Sequence, residues 1–161
     1  VTQHHAGACT LISVALMLGA DIVVAADDCR FSQLEVKRCI MPTGGATLRM
    51  AERAGLGNAM LHLLTGDEFN SAEAYRLNFV QKVVPAGQEL DAAITIAHNI
   101  AEQAPAAVVA TRLNTLQAVE QGPAAAVAEF IETQRVLANS EDAAEGIRSF
   151  VERRPARFTG R

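Results

Sequence analysis

Apolar and polar residues change their rhythm once along this chain, at about Pro85. Before it, short β-prone runs alternate with helical patterns; beyond it the spacing is helical almost throughout. The apolar stretch from Thr10 to Gly19 reads as a buried helix, and Asp21-Ile22-Val23-Val24-Ala25-Ala26-Asp27 reads as a strand buried on both faces and flanked by carboxylates. A buried helix leading into a buried strand predicts an α/β layer structure. Cys29-Arg30-Phe31 predicts a further short strand, and Gln33 to Arg38 fits neither rhythm. Thr43-Gly44-Gly45-Ala46-Thr47 supplies turn chemistry, with Thr47 as the expected N-cap of a helix that carries Leu48, Met50, Ala51 and Ala54 and stops at Gly55. A second helix is expected from Gly57 to Leu64, ending at Gly66, and Asn70-Ser71-Ala72-Glu73 opens a third, capped by Ser71 or Asn70. Val80 to Val84 alternates and is closed by Pro85, which predicts a strand.

The second part predicts helices over 87–103, 105–121, 123–139 and 141–153, with Pro105 and Pro123 at first helical positions and Gly122 closing the segment between them. Ala126, Val127, Phe130, Ile131 and Leu137 recur at helical spacing, as do Ile147, Phe150 and Val151. An Ala-rich helical region with few aromatics has little core of its own, so these stripes are expected to meet another subunit.

Half of the 161 residues are hydrophobic and the net charge is −4, so the chain can bury a sizeable core and carries no basic face for nucleic acid. The longest apolar run is shorter than the roughly 20 residues a membrane span needs, and it lacks the basic flank of a signal peptide. No membrane partner is expected. Cys9, Cys29 and Cys39 are odd in number and show no CxxC spacing, which argues against a disulfide framework or structural zinc and makes a reducing, cytoplasmic compartment the expectation. His4 and His5 are adjacent rather than spaced along a helix face, so no metal site is expected.

Several segments, in order, resemble the enoyl-CoA hydratase/isomerase (crotonase) family. Ala20 to Val36, with its aspartate-led strand, polar turn and Phe31-x-x-x-Glu35, is similar to one family pattern, and Pro42-Thr43-Gly44-Gly45-Ala46-Thr47-Leu48-Arg49-Met50 is similar to another. Leu64-Thr65-Gly66-Asp67, the Ser71-Ala72-Glu73-Ala74 start, Val83-Val84-Pro85 and the tail from Glu145 to Phe158 follow. Each segment is weak alone; their order and spacing carry the resemblance. It implies part of a ββα spiral over residues 1–86 followed by a helical trimerisation region over 87–161. It also implies an acyl-CoA thioester as substrate, with coenzyme A as part of that substrate and no separate cofactor, and a homotrimer or hexamer. A family segment N-terminal to Val1, which supplies much of the CoA surface, is expected to be missing.

The resemblance also assigns roles. Enolate-like charge on a thioester oxygen needs preorganised N–H donors, and the family position falls on the backbone N–H of Ile12. Ile12 and Ser13 replace the glycines usual there, which leaves an ordinary buried helix start as the alternative. Glu35 matches one family glutamate and is the expected proton-transfer group. The alternative for it is a solvated helix-start carboxylate balanced by Lys37 and Arg38. The second family glutamate would fall at Ala15. A single carboxylate can move a double bond by acting as base and then acid, whereas adding water uses two, so isomerase-like chemistry is favoured. Leu34, Pro42, Thr43 and Gly44 are expected to line the acyl group, although Gly44-Gly45 can equally be a plain loop, and Cys39 stands where the family commonly has glycine. Arg112 and Phe158 are expected near the nucleotide end of CoA, with ordinary surface positions as the alternative. The competing functional reading is an inactive family member or fragment with an assembly role.

Overall fold

The computed structural model describes residues 2–5, 7–10 and 12–161, the side chains of residues 2–5 excepted. The chain opens with β1 (Thr2–His5), β2 (Ala8–Thr10), α1 (Ile12–Leu18), β3 (Ile22–Ala26) and β4 (Arg30–Ser32). A 3-10 turn (Glu35–Arg38), α2 (Ala46–Ala54), α3 (Leu56–Thr65), β5 (Phe69–Asn70), α4 (Ser71–Arg76) and β6 (Lys82–Val84) follow. The remainder is helical: α5 (Glu89–Ala101), α6 (Pro105–Gln121), α7 (Pro123–Ala128), α8 (Phe130–Ala138) and α9 (Glu141–Glu152). Two compact units result, Val1–Ala97 and His98–Arg161, and the division falls inside α5 rather than ahead of it at residue 86.

In the first unit, β3 is the centre of a parallel sheet of order β1-β3-β6, and Val23 to Ala26 are fully buried. A strand covered on both faces reads as a continuous apolar run, which is why its alternation is absent. The second sheet, β2-β4-β5, pairs β2 with β4 in parallel and β4 with β5 antiparallel. Val14, Met17 and Leu18 of α1, Phe31 of β4, Met50 of α2, and Phe69 and Phe79 fill one core. The Phe31 and Phe69 rings stack at 5.6 Å, and each such buried side chain contributes about 1.5–3 kcal/mol.

Several sequence expectations change on the way to structure. Thr10 is strand rather than helix, because it pairs with Ser32. Thr47 is not the cap of α2: Gly45 is, in a left-handed conformation with φ 89°, so Thr47 lies inside the first turn. Of the stretch Gln33 to Arg38, Glu35–Arg38 closes as the 3-10 turn, and Cys39 ends it in a left-handed conformation with φ 58°, which costs a side-chain-bearing residue about 1–2 kcal/mol. Asn70 caps α4 by accepting from Glu73 N, while also ending β5, a two-residue strand too short to read from periodicity.

Within the second unit, the helix expected over 123–139 is broken at Glu129. Asn114 Nδ2 donates to the Ala126 carbonyl at 2.9 Å and competes with the helical bond that would carry α7 into α8. The last residues fold back on α9. Asp142 accepts from the Thr159 and Gly160 amides at 2.7 and 2.8 Å, and Glu145 accepts from Arg154 and from the Arg157 amide. Little of this unit is buried: α6 and α8 contain no buried residue.

Candidate active site

The parallel pairing of β2 with β4 puts Thr10 beside Ser32, so both strands deliver the chain to the same end of the sheet. Two residues past Thr10 is Ile12, the first residue of α1; three residues past Ser32 is Glu35, the first residue of the 3-10 turn. The carboxyl ends of parallel strands are where α/β sheets gather binding groups, because loops and helix N-termini converge there. Here the same sheet end leads to the start of α1 and to Glu35.

Each neighbour of that pair is held by identifiable contacts. Ser13 Oγ donates to the Thr10 carbonyl at 2.6 Å, which fixes the entry to α1. Burial pushes the nearby Cys9 thiol above its ordinary range, with a hydrogen bond to Ser13 working against that shift, so Cys9 is a packing group rather than a nucleophile. At the other end of α1, Arg53 of α2 donates to the Leu18 and Ala20 carbonyls at 3.0 and 2.6 Å and to the Phe79 carbonyl at 3.4 Å. Burial lowers the Arg53 pKa, yet a guanidinium stays charged and suits a helix C-terminus.

Glu35 is only 8% exposed and follows Ser32 and Gln33, which are buried too. A solvated glutamate balanced by Lys37 is therefore not what the fold contains, and Lys37 is engaged elsewhere, with Asp67 at 2.9 Å. That ion pair holds the Asp67 carboxyl below its usual range and fastens the 3-10 turn to the end of α3. Gly66, with φ 64°, lies against the Gln33 carbonyl and the Lys37 stem, so that an added Cβ would stand 3.0 Å from the carbonyl oxygen and 3.2 Å from Lys37 Cε, a tight fit.

The turn before α2 closes the group. Pro42 is buried, Thr43 and Gly44 are exposed, and Leu34 is half-buried. Gly44 lies on Ile12 and Ala15 so closely that an added Cβ would stand 2.6 Å from Ala15 Cβ and 3.2 Å from Ile12 Cδ1. Gly44 of this turn thus lies against Ile12 and Ala15 of α1, and Glu35 follows the strand end that β4 shares with β2. Arg112, on α6, and Phe158, in the tail, belong to the second unit. Phe158 packs there beside Gly146 of α9, 3.8 Å from where that glycine's Cβ would be.

The sequence profile of the Enoyl-CoA hydratase/isomerase family matches residues 4–161. The chain belongs to that family. Among family members, the 2,3-dehydroadipyl-CoA hydratase of Escherichia coli K12 is 32% identical over 146 residues, covering 91% of this chain and 57% of the relative. The carnitinyl-CoA dehydratase of Proteus mirabilis HI4320 is 31% identical over 150 residues, with 91% and 58% covered. Solved structures of the family agree in fold. The "probable enoyl-CoA hydratase/isomerase" of Mycobacterium abscessus superposes with a TM-score of 0.95 at 47% identity, over 97% of this chain and 60% of that one. An enoyl-CoA hydratase of Mycobacterium tuberculosis H37Rv gives 0.91 at 37%, over 96% and 62%. This chain therefore spans a little under three-fifths of the length of these two curated relatives.

Two open clefts are lined by other residues. One, of about 510 Å³, is lined by Asp27, Ser71, Tyr75, Gln81 and Lys82. Three of its polar side chains are engaged: Asp27 accepts from the Ala86 amide, Ser71 donates to the Ala26 carbonyl and Gln81 accepts from the Val23 amide. The other, of about 850 Å³, runs between α6 and α8 within the second unit. Among the described residues no group of three or more His, Cys, Asp or Glu could hold a metal ion, and no helix is long and apolar enough to cross a membrane.

The contact between Gly44 and Ala15 and the role of Arg53 escaped the sequence reading. A glycine beside another glycine looks like turn chemistry, and an arginine on an amphipathic helix looks like a solvated residue.

Proposed function

We propose that this chain acts on acyl-CoA thioesters as an enoyl-CoA isomerase-type enzyme, with Glu35 as the proton-transfer group and the Ile12 backbone N–H as a donor to the thioester oxygen. The reading is carried by one observation: a glutamate more than nine-tenths buried and the start of α1 leave the same end of the β2–β4 pair. Burial keeps water from the carboxylate, and N–H groups at a helix start have no intrahelical acceptor. Glu35 takes a proton from the α-carbon of a β,γ-unsaturated thioester. The electron pair spreads onto the thioester oxygen, and the same carboxyl returns the proton at the γ-carbon. The double bond moves to the α,β position and nothing is added or lost. Water addition needs a second group to orient the water, and the residue standing where the family's other glutamate is expected is Ala15.

Leu34, Pro42, Thr43 and Gly44 would line the acyl group, and Arg112 and Phe158 would meet the nucleotide end of CoA. The working assembly is a homotrimer or a hexamer, supported by the exposed apolar stripes of the second unit. The test is turnover of a short enoyl-CoA, following migration and hydration separately. Glu35→Gln should lower migration by about 10²–10⁴-fold, the usual contribution of a positioned acid–base group. Unchanged rates in that variant, or a parent chain that associates but turns nothing over, would make this an assembly protein rather than a catalyst.

A further inference from the structure

The chain on either side of Glu35 rests on one glycine of another element. Gly66 ends α3 in a left-handed conformation, and a Cβ there would stand 3.0 Å from the Gln33 carbonyl oxygen and 3.2 and 3.3 Å from Lys37 Cε and Cγ. Gln33 lies two residues before Glu35 and Lys37 two residues after it, so Gly66 meets both flanks of the turn that carries the carboxylate. A four-residue 3-10 turn has poorer hydrogen-bond geometry than an α-helix, which makes its outside contacts count. Its Lys37 amide donates to the Leu34 carbonyl at 3.0 Å, and the Ile40 amide beyond it donates to the Glu35 carbonyl at 3.2 Å. A second contact joins the same two elements: Lys37 Nζ donates to Asp67 Oδ1 at 2.9 Å, with the lysine stem lying across Gly66. Asp67 is tied to the last turn of α3, since its amide donates to Thr65 Oγ1 at 3.1 Å and that hydroxyl donates to the Leu61 carbonyl at 2.7 Å. The Lys37 and Asp67 side chains are 44% and 70% exposed, so their pair adds little to the stability of the unit as a whole.

We infer that Gly66, Asp67 and Lys37 are positioning residues for Glu35: the glycine seats the turn on the end of α3, and the ion pair fastens it there, which together set how far the carboxylate reaches. The statement rests on the proton-transfer role proposed above, whereas the hold of α3 on the turn can be read without turnover. None of the three residues touches substrate in this scheme. Proton transfer works over hydrogen-bond distance, so a small displacement of the carboxylate slows the chemical step and leaves binding of the thioester nearly as it was. An exposed ion pair is screened by salt, so the positioning weakens as ionic strength rises.

The experiment pairs double-bond migration kinetics on a short β,γ-enoyl-CoA with amide exchange, both on the full chain. Lys37→Met keeps most of the stem and removes the charge. It should lower kcat about three- to tenfold with KM nearly unchanged. Its melting temperature should move by less than about 2 °C, and the Ile40 amide should exchange faster while the β3 amides stay as they are. Asp67→Asn should do the same, and Lys37→Arg, which retains the pair, should restore most of kcat. Raising NaCl from about 0.05 M to about 0.5 M should slow the parent towards Lys37→Met and leave that variant unaffected. Gly66→Ala displaces both flanks at once and should lower kcat by about 10–10²-fold. A Lys37→Met variant with parental kcat or parental Ile40 exchange would overturn the inference, as would a loss confined to KM or one that follows a falling melting temperature. A parent without turnover, indistinguishable from Glu35→Gln, would remove the positioning role together with the proposed function. Ile40 exchange would still decide whether the pair holds the turn.

Discussion

Arg53 shows how one side chain can hold the frame of a site it does not touch. Its guanidinium reaches the carbonyls of Leu18 and Ala20, at the end of α1, and of Phe79, before β6. Hydrogen bonds to a charged group contribute about 1.5–3 kcal/mol. Arg53→Met keeps the stem and removes the donors, so unfolding in urea should show a loss of about 2–3 kcal/mol. Arg53→Lys should recover less than half of it, since a single ammonium cannot span three carbonyls. A midpoint unchanged in Arg53→Met would mean that water serves those carbonyls equally well. Glu35 makes the complementary point at this scale: its place in a motif was visible in the sequence, whereas its burial depends on Ser32, Gln33 and the turn that Lys37 ties to Asp67.

Among the elements, α9 and the tail that folds onto it carry the clearest pH dependence. Glu145 accepts from the two terminal guanidinium nitrogens of Arg154, at 2.6 and 3.0 Å, and from the Arg157 amide at 3.0 Å. Arg154 beside it, and then the Arg157 amide, pull its pKa from 4.5 down to about 2. A carboxyl depressed in the folded state contributes stability that is complete above its unfolded value and is lost as pH falls through its folded value. The Arg157 amide should therefore keep its protection from pH 7 to about pH 4.5, the unperturbed glutamate value, and lose it on the way to about pH 2. Glu145→Gln should remove that titration and leave the amide less protected already at pH 7. Because Asp142 holds Thr159 and Gly160 independently, those amides should respond less to the same variant. Amide shifts followed by NMR across an acid titration check this. An Arg157 amide that titrates identically with and without Glu145 would contradict it.

For the whole molecule, the two units differ in how they can be stable. The first has one continuous core, from Cys9 through Phe31 and Met50 to Val80. The second leaves Ile131, Ile147, Phe150 and Val151 at 82%, 71%, 84% and 73% exposed, while Ala126 is among its few buried apolar residues. Apolar exposure on that scale calls for a partner surface. Dilution should therefore lower hydrogen-exchange protection in α6 and α8 more than in α1 and β3, and sedimentation at micromolar concentration should give a trimer or its dimer. Ile131→Asp with Phe150→Asp should block association while leaving the first unit's protection intact. A monomer whose second unit is fully protected would refute the assembly.

The sequence by itself determined the local elements and the family pattern. Caps and prolines are short-range chemistry, so Asn70, Pro105, Pro123 and the stops at Gly55 and Gly66 fall where residue type places them. The buried strand at Ile22–Ala26 and the motif that ends at Glu35 were equally legible, because burial on both faces and residue order both leave a trace along the chain. Contacts between residues far apart in sequence leave no such trace. Only the tertiary structure decided that Thr10 pairs with Ser32 and so belongs to a strand, that Asn114 interrupts the helix at Glu129, and that Gly44 is small because Ala15 lies beneath it. Each of those outcomes is set by the distance between two segments, a quantity that exists only once the chain has folded.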